Sequence, residues 1–529
     1  MTNADAIANS LLQYGVKTVF GIPGQVIAPL VTSLGKHKIK FVLTRHEQNA
    51  VHAAAGYARA TGKIGVALVI SGPGILNAIT GLVNSYYDCI PLICIVGEIS
   101  NKTRKLSFYQ NINIKDNLTK NINAYFKIKH NSNVYDVFHK AFNLSMNNKK
   151  GPVVISIGSD TQQELHKGHM PINNSFSGKA SKFTNIIKIN ILKYMIKSSK
   201  KTLLYFGSGA CDYETLHIEK IIQTLKCPCV MTMGALGLSK IIPSELNLGM
   251  RGDYKYSKYS FDENNEENQF DLIIYIGARI DKRIIQKNKR IIFIKHLIDC
   301  SFFPQLGIIR ASIDELAIAC NNLITSPQKY NFEIKKIIQP KVRQFIDPFC
   351  FFHKLYETIP PNYIITSEIG QHTVWAAESY IRYGCNNNFF ISETLGAMGS
   401  GLPLALGAVI AEKYGGGVTI AGDGSLQLIL GELNTVIESD LNIKIVVFNN
   451  QGLGRIRNLQ HLYANDFYYG VDYTSNFDYS KYASACHIGY YKAIDNGEFE
   501  IGLKKMFSTK KTFLLELVID KDIPTFNNW

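Results

Sequence analysis

Short apolar runs alternate with helical stretches along the whole chain, and this pattern predicts three blocks of parallel α/β structure. In the first block, from Ala4 to about Asp160, we expect strands over residues 18–20, 40–43, 64–70, 92–96 and 153–157. In the second block, from about Ile187 to Thr325, we expect them over residues 202–206, 228–231, 272–276 and 290–294. In the third block, from about Val342 to Trp529, we expect them over residues 363–366, 418–421, 443–448 and 512–518. This order of elements is typical of doubly wound sheets, so the predicted fold class is α/β with three parallel-sheet domains.

Two polar stretches separate the blocks. Residues 161–184 and 326–340 show no clear periodicity and are predicted to be linkers. These limits predict domains over residues 1–160, 185–325 and 342–529. The acidic, Asn-rich residues 257–269 are predicted to form a surface insertion within the second domain.

Composition and charge narrow the class of protein. The chain has 529 residues, of which 46% are hydrophobic and 19% charged, as in globular proteins of several domains. No apolar run is as long as a membrane span, and residues 1–7 lack the apolar region of a signal peptide, so we expect a cytoplasmic protein without membrane contact. The ten cysteines are scattered without zinc-site spacing, which favours reduced thiols. The net charge is +15, but no basic stripe interleaves with aromatic residues, so we expect no nucleic-acid partner.

A Gly-Asp-Gly turn and an Asn-Asn pair follow two neighbouring predicted strands of the third block. Asp423 lies directly after the first strand and Asn449–Asn450 directly after the second. Side chains at the carboxyl ends of parallel strands lie where open α/β sheets hold their ligands. One carboxylate and one neutral amide make an all-oxygen site that leaves room for waters and phosphate oxygens, which suits Mg²⁺.

Three further segments carry candidate chemistry. Glu47 follows a predicted strand and begins an Ala-rich helix, where an acid is either a helix cap or a catalytic carboxyl group. The turn at residues 370–372 offers backbone amides with a Gln and a His side chain to phosphate oxygens. In the Gly-rich residues 395–401, Met398 is either a core side chain or a support beneath a flat ring.

Together these segments resemble the thiamine diphosphate (ThDP)-dependent enzymes, and within them the acetolactate synthase (acetohydroxyacid synthase) catalytic subunit. The resemblance covers nearly the whole chain. It is carried by residues 20–24 (FGIPG), 45–63, 71–74 (SGPG), 277–283 (GARIDKR), 371–377 (QHTVWAA) and 449–454 (NNQGLG). It implies a pyrimidine-binding domain, a central transhydrogenase-like domain and a diphosphate-binding domain, in that order.

The resemblance also implies roles for individual residues. The metal ligands would be Asp423, the Asn450 side chain and the Gly452 carbonyl. The catalytic residues would be Glu47, which shares a proton with the pyrimidine ring, together with Gln110 and Gln25. The cofactor-binding residues would be Pro23, Ile369, Gly370, Gln371, His372, Gly396, Met398, Gly424, Ser425, Leu453 and Gly454. The substrate-binding residues would be Arg283, Arg455, Ile456, Leu459 and Tyr109.

Four positions depart from the acetolactate synthase pattern. Gln25 stands where the family has a Gly at the reaction centre, and Arg455 stands in place of a Met that faces the substrate. Leu459 replaces a Trp that helps to select 2-ketobutyrate, and Lys282 replaces an Asp beside Arg283. A charged Arg455 side chain either binds an anionic substrate bidentately or points outward into solvent.

The function implied is ThDP- and Mg²⁺-dependent decarboxylation of a 2-keto acid such as pyruvate, with transfer of the carbanion equivalent to an acceptor carbonyl. The altered pocket residues favour a specialised acceptor. The alternatives are a simple 2-keto acid decarboxylase, against which the absence of a His-His pair counts, and a non-catalytic cofactor-binding relic. Residues 207–209, Arg279 and Asp281 fit the family's FAD site, whereas residues 295–299 do not, so FAD binding is left open. A homodimer or homotetramer is expected, and the sequence does not decide whether a small regulatory subunit binds.

Overall fold

The computed structural model describes residues 1–102, 109–118, 120–146, 149–168, 186–250, 270–278, 290–294, 308–321, 323 and 345–523. It contains three six-stranded sheets, one in each predicted block. This confirms the predicted fold class of three parallel-sheet α/β domains. The predicted insertion at residues 257–269 and the second predicted linker lie outside the described residues.

The first sheet has the strand order β2-β1-β3-β4-β6-β5, with every neighbouring pair parallel. Its strands are β1 (Thr18–Gly21), β2 (Lys40–Leu43), β3 (Gly65–Ile70), β4 (Leu92–Glu98), β5 (Ala124–Ile128) and β6 (Pro152–Gly158). Its helices are α1 (Asn3–Gln13), α2 (Ala28–Lys36), α3 (Glu47–Thr61), α4 (Pro73–Tyr87), α5 (Ile114–Leu118), α6 (Val134–Met146) and α7 (Ser159–Gln163). Strands β4 and β6 are buried along their whole length, as expected for central strands covered by helices on both faces.

The second sheet has the order β12-β11-β10-β7-β8-β9 and is also parallel. Its strands are β7 (Thr202–Phe206), β8 (Cys229–Met231), β9 (Asn247–Met250), β10 (Leu272–Ile276), β11 (Arg290–Ile294) and β12 (Ile308–Ala311). Its described helices are α8 (Ile186–Lys197), α9 (Thr215–Leu225) and α10 (Ile313–Cys320).

The third sheet has the order β14-β13-β15-β16-β18-β17. Its strands are β13 (Tyr363–Ser367), β14 (Phe389–Phe390), β15 (Gly416–Gly422), β16 (Ile443–Asn449), β17 (Gly489–Ala493) and β18 (Phe513–Val518). Its helices are α11 (Pro348–Thr358), α12 (Gln371–Arg382), α13 (Gly401–Ile410), α14 (Asp423–Gln427), α15 (Glu432–Glu438), α16 (Gly454–Tyr463), α17 (Tyr479–Ala485) and α18 (Asn496–Ser508).

By their contacts the residues form two compact units. The first comprises Met1–Ala180, Asn362–Thr373 and Phe390–Ile523, and so contains the first and third sheets. The second comprises Ser181–Pro361, Val374–Phe389 and Pro524–Trp529, and so contains the central sheet. The domain limits set from the sequence stay predictions.

The first predicted linker begins later than its polar composition indicated. Thr161 and Gln162 are buried in α7. The Gln162 side chain donates to the Val26 carbonyl over 2.7 Å and accepts from the Leu30 amide over 3.3 Å. The polar residues at this point therefore complete the first domain, because their side chains satisfy backbone groups inside it.

Helices α3 and α13 join the first and third sheets within the first unit. Both are rich in small residues, and their backbones touch. An added Cβ at Gly56 would overlap the Leu404 carbonyl, and one at Gly407 would overlap the Ala53 carbonyl. The helix that begins at Glu47 is thus packed directly on the helix that follows the turn bearing Met398.

In the described part of the chain, no helix combines the length and the apolar character needed to cross a membrane. The nine cysteines of that part are free thiols; Cys229 is buried in β8 and Cys227 is buried just before that strand.

His52 in α3 makes the stability of the apo chain depend on pH. Its side chain is fully buried, and burial lowers its pKa to about 4. The unfolded chain takes up a proton on this side chain near pH 6.5, so stability contributed by the neutral ring is present above that pH and is lost as the pH falls. Because of His52, we expect the unfolding free energy to fall by about 1 kcal/mol when the pH is lowered from about 7 to about 5.5. Urea unfolding at both pH values measures it.

The matched control is His487, whose side chain is exposed. His52→Asn should reduce the pH slope of the unfolding free energy by about half a proton averaged over this pH range, whereas His487→Asn should leave it unchanged. Equal slopes in wild type and His52→Asn would contradict the burial argument.

Candidate active site

Three neighbouring strands of the third sheet end at the same edge. Strands β13, β15 and β16 pair in that order and run parallel, so their carboxyl ends lie side by side. The segments that follow them carry Gln371 and His372, Asp423, and Asn450, respectively. Residues predicted from separate motifs are therefore brought to one edge, where doubly wound sheets bind ligands.

Asp423 is the buried acid at this edge. It is the first residue of α14 and 3% exposed. Its Oδ1 accepts from the Gly424 amide over 2.8 Å, and its Oδ2 accepts from the Gly452 amide over 3.1 Å. Burial raises the pKa of this carboxyl group to about 6, and surrounding backbone N–H groups oppose that rise. A buried carboxylate favours a cation beside it, because the cation offsets the cost of burying the negative charge.

Asn450 and Gly452 lie next to Asp423. Asn450 is almost buried, and an added Cβ at Gly454 would overlap both its Nδ2 and the Gln371 Oε1. The Leu453 amide donates to the Val471 carbonyl over 2.7 Å, which fixes the loop against the chain at residues 471–473. The predicted ligands Asp423, the Asn450 amide and the Gly452 carbonyl would offer one carboxylate and two neutral oxygens. This set fits a hard divalent cation that fills its remaining positions with water or phosphate oxygens.

The side chains of Gln371 and His372 are engaged within the protein. Gln371 Nε2 donates to Asn458 Oδ1 over 3.1 Å and also to the Ile523 carbonyl. His372 Nε2 donates to the Glu368 carbonyl over 3.1 Å, and burial lowers the pKa of the ring to about 4, so it is neutral. An added Cβ at Gly422 would lie 3.0 Å from His372 Nδ1, so this ring nitrogen faces the strand end. These contacts hold the start of α12 in place. Because both side chains are already engaged, a phosphate group at residues 369–372 would be bound mainly by backbone amides.

The other predicted cofactor residues lie around these segments. Ser425 Oγ accepts from the Gly422 amide over 3.0 Å and closes the turn that holds Asp423. An added Cβ at Gly424 would overlap the hydroxyl group of Tyr473, so the loop after α16 covers this turn. Gly396 has φ +66° and no heavy atom within 4 Å of an added Cβ, which leaves its surface open. Met398 is half-buried, and its carbonyl accepts from Gln48 Nε2 over 3.3 Å.

Glu368, a residue not found from the sequence, holds the turn that bears Met398. Its fully buried carboxylate accepts four backbone N–H groups, from Gly399 (2.7 Å), Ser400 (3.1 Å), Gly401 (2.6 Å) and Leu402 (3.2 Å). Burial raises its pKa to about 7, and the four amides oppose that rise. Its position directly after an apolar strand was the available signal, but its four partners lie 31 to 34 residues away.

Glu368→Gln is expected to destabilise the first unit by about 3 kcal/mol, because an NH₂ group would replace one of the two accepting oxygens and leave buried N–H groups without a partner. Urea unfolding of the full chain, monitored by a signal from the first unit, measures this loss of stability. Glu500→Gln is the control, since Glu500 is exposed on α18. A loss below 0.5 kcal/mol in both variants would mean that the four contacts contribute little.

The second candidate cluster lies at the carboxyl edge of the first sheet. Glu47 begins α3 and is half-buried, and its Oε2 accepts from Asn77 Nδ2 on α4 over 3.0 Å. An added Cβ at Gly74 would lie 3.5 Å from Glu47 Oε1, and one at Gly72 would lie 2.9 Å from the Cα of Gln110. Glu47, Gln110 and the loop of residues 71–74 are therefore neighbours. Asn77 was missed from the sequence because one polar residue on a helix gives no local signal.

Predicted residues on the substrate side differ in exposure. Pro23 and Gln25 are exposed, and Tyr109 is 72% exposed. On α16, Arg455 and Leu459 are half-buried and Ile456 is 45% exposed. Arg283 and Lys282 lie outside the described residues.

Arg457 fixes α16 in place. Its guanidinium group donates to Asp472 over 2.9 Å and to Asp522 over 3.0 Å, and it lies 3.6 Å from the centre of the Tyr468 ring. The side chain is buried, so this network anchors α16, the helix that carries Arg455 in its first turn. Sequence reasoning singled out Arg455 and missed Arg457, although both follow the same Asn-Asn pair.

The glycines proposed for a flavin site have a packing role. The Gly209 amide donates to the Gly277 carbonyl over 3.0 Å, and an added Cβ at Gly207 would overlap Ala278. Close contact between these two turns explains the glycines without a ligand. Arg279, Asp281 and residues 295–299 lie outside the described residues.

Comparisons with known proteins agree with this layout. Residues 1–119 match the thiamine pyrophosphate enzyme N-terminal TPP binding domain, and residues 368–517 match the thiamine pyrophosphate enzyme C-terminal TPP binding domain. Thiamine pyrophosphate (TPP) is ThDP under its other name. The second match contains Asp423, Asn450 and Gly452, and the first contains Glu47.

Full-length relatives give the same result. The chain is 28% identical to the acetolactate synthase isozyme 2 large subunit of Escherichia coli strain K12, over 98% of this chain and 96% of that one. It is 29% identical to the chloroplastic acetolactate synthase 2 of Nicotiana tabacum, over 98% of this chain and 82% of that one. Among solved structures, the thiamine diphosphate-dependent 4-hydroxybenzoylformate decarboxylase of Rhodococcus jostii RHA1 superposes with a TM-score of 0.80 at 19% identity, over 98% of this chain and 99% of that one. That likeness concerns the fold.

Proposed function

Because this chain belongs to the thiamine diphosphate-dependent enzymes, as an acetolactate synthase-like member, we propose that it decarboxylates a 2-keto acid and transfers the product to an acceptor carbonyl. Pyruvate is the proposed donor. The observation that carries the proposal is the position of Asp423, Asn450 and Gly452 beside one another at adjoining strand ends, in a chain that also presents Glu47 at the carboxyl edge of its first sheet. An anchor for a metal-bound diphosphate and an acid for the other end of the cofactor are the two parts that this chemistry needs.

The third block would bind the cofactor through its diphosphate. Asp423, Asn450 and the Gly452 carbonyl would hold Mg²⁺, which would supply positive charge to offset that of the diphosphate group. Gly424, Ser425, Leu453 and Gly454 frame this site, and backbone amides at residues 369–372 lie at the adjoining strand end. Gly396 and Met398 would contact the cofactor rings, with the turn that bears them fixed by Glu368.

When bound, ThDP supplies the electron sink for decarboxylation. The role of the protein is to hold or move a proton at the Glu47 carboxyl group. This group would share the proton with the pyrimidine ring nitrogen. Asn77 donates to Glu47 Oε2 and so fixes the direction of the other carboxyl oxygen. Gln110 lies beside the same loop and would contact the reacting substrate, as would Gln25.

The acceptor is proposed to carry a negative charge. Arg283 would bind a substrate carboxylate, and Arg455 adds a second cation on the first turn of α16, an element anchored by the buried Arg457 network. A guanidinium group at this position matches a carboxylate, phosphate or sulfonate in a bidentate manner. Ile456, Leu459 and Tyr109 would line the rest of the substrate pocket, and Pro23 would lie at its cofactor side.

Product analysis tests the proposal. The purified chain is incubated with ThDP, Mg²⁺ and pyruvate, first alone and then with neutral and anionic carbonyl acceptors, and the products are identified by mass spectrometry. A carboligation product that forms faster with a different anionic acceptor than with pyruvate, itself an anion, as the acceptor supports the proposal, and Arg455→Met should remove that preference. Acetolactate formed from pyruvate alone at rates typical of the family would refute the specialised acceptor.

The same experiment separates the alternatives. A free aldehyde as the sole product would identify a 2-keto acid decarboxylase. Binding of ThDP without turnover of any 2-keto acid would identify a cofactor-binding relic, although Glu47, Asp423 and Asn450 are all present.

Assembly is part of the proposal. We infer that the chain acts as a homodimer or homotetramer, in which Glu47 of one protomer serves the cofactor held by Asp423 of another. Binding of FAD to the central domain and of a small regulatory subunit remain proposals that absorbance spectra and co-purification can test.

A further inference from the structure

Helix α15 holds the segment that bears Glu47. Glu432 Oε2 accepts from the Arg45 amide over 3.1 Å and from Asn49 Nδ2 over 2.8 Å. One turn later, Thr435 Oγ1 donates to the Leu43 carbonyl over 3.1 Å. The contacts join residues 383 to 392 apart in the chain, so they connect the third sheet to the first within one unit.

Glu432 is an unusual residue for this place. It is 1% exposed, and burial raises the pKa of its carboxyl group, while the Arg45 amide, Asn49 and Thr435 oppose that rise. The segment also has an exposed ion pair, between Arg45 and Glu438. A buried carboxylate is costly unless its hydrogen bonds are well formed, whereas an apolar side chain would pack here at lower cost. A buried acid that grips two points of one short segment is therefore suited to setting that segment's position.

The two points gripped lie on either side of Glu47. Arg45 precedes it by two residues and Asn49 follows it by two, so a single carboxylate fixes both flanks of the proposed catalytic acid. Glu47 is also the first residue of α3, where a small rotation of the helix start would swing its carboxyl group away from Asn77. Gly431 lies close to the same segment, since an added Cβ there would lie 3.5 Å from the Arg45 Cβ.

We propose that Glu432 is a positioning residue for Glu47, acting through the Arg45 amide and the Asn49 side chain. The inference rests on the proposed function, in which Glu47 exchanges a proton with the cofactor. Positioning groups hold a catalytic side chain within a fraction of an ångström of its working geometry, and their loss reduces turnover more than binding. A purely structural role would instead lower stability and cofactor affinity together.

The test compares Glu432→Gln and Glu432→Asp with wild type in the full chain. In the apo protein, hydrogen exchange measured by mass spectrometry should show loss of protection at residues 44–50. With ThDP and Mg²⁺ bound, exchange of the cofactor C2 proton, which needs no substrate, should slow by about 10- to 100-fold. The ThDP dissociation constant and the KM for the 2-keto acid should stay within about threefold of wild type, and kcat should fall with the C2 exchange rate.

Three further variants complete the design. Asn49→Ala removes the second donor and should reproduce the slower C2 exchange. The double variant with Glu432→Gln should slow the exchange little further. Asn49→Ala alone keeps the test valid if Glu432→Gln does not fold. Glu315→Gln is the matched control, because Glu315 is a buried carboxylate that accepts the Ser312 amide over 2.8 Å in the second unit. It should lower stability without changing C2 exchange.

The outcomes are distinct. If the wild-type chain binds ThDP and exchanges the C2 proton, and the exchange rates of Glu432→Gln and Asn49→Ala both lie within twofold of the wild-type rate, this inference alone is overturned. A loss of ThDP affinity that matches the loss of C2 exchange would also overturn it, in favour of a structural role. A wild-type chain that binds no ThDP would overturn the proposed function and this inference with it.

Discussion

Replacement of Asp423 by alanine is expected to abolish retention of ThDP and to lower turnover by at least about 1,000-fold, which corresponds to the several kcal/mol that a metal ion contributes to such a site. Asp423 is the sole carboxylate among the three proposed metal ligands, and its oxygens also accept the Gly424 and Gly452 amides. Its loss would remove the charge that holds Mg²⁺ and open the contact between the β15 turn and the loop after β16. Titration of the protein with ThDP in the presence of Mg²⁺, monitored by protein fluorescence, measures the loss of ThDP affinity.

The comparison variant keeps the shape of the site. Asp423→Asn preserves one oxygen but not the charge, so ThDP affinity should fall by more than tenfold. Asp440→Asn is the control, because Asp440 is exposed in a turn with φ +50°, a conformation that asparagine adopts readily. Normal ThDP binding by Asp423→Asn would place the metal site elsewhere.

Replacement of Glu47 by glutamine is expected to lower kcat by about 100- to 10,000-fold, the usual contribution of a positioned acid or base. An amide has the shape of the carboxyl group and can still accept from Asn77, but it cannot exchange a proton with the pyrimidine ring. ThDP affinity should therefore change by less than about tenfold, since the diphosphate site is untouched. Steady-state kinetics and ThDP titration on the same preparation separate the two effects.

Two variants bracket this result. Asn77→Ala should lower kcat by a smaller factor, because it releases the Glu47 carboxyl group without removing it. Glu412→Gln is the control, since Glu412 is exposed. If Glu47→Gln turned over 2-keto acid at the wild-type rate, the proton would have to come from another group and the proposed role of Glu47 would be lost.

The sequence was most informative where buried structure depends on short apolar runs. The central strands β3, β4, β7, β10, β15 and β16 were all predicted, because strands covered on both faces are continuously hydrophobic. Strands β5 and β17 were missed because both are edge strands. The positions of β17 are mostly exposed or half-buried, and those of β5 are mostly half-buried. Two helices, α14 and α15, lie between β15 and β16, and the turn between them places Glu432 against Arg45.

The candidate site divides in the same way. Asp423, Asn450 and Glu47 could be proposed from the sequence because short local motifs contain them. Glu368, Glu432 and Arg457 were missed because their partners come from distant parts of the chain or from an exposed loop. In each case the decisive property is burial of a charge beside backbone or side-chain donors, which is a three-dimensional property. Sequence reasoning therefore found the groups proposed to meet the cofactor and missed the groups that hold them in place.

The backbone contact between α3 and α13 limits how this protein can be recombined with its relatives. Gly56 and Gly407 each leave no room for a methyl group against the opposite helix. A hybrid enzyme that joins the first block of one parent to the third block of another inherits one side of this contact from each. Crossover points chosen at the linkers will therefore yield a working hybrid only when both parents keep glycine at these two positions.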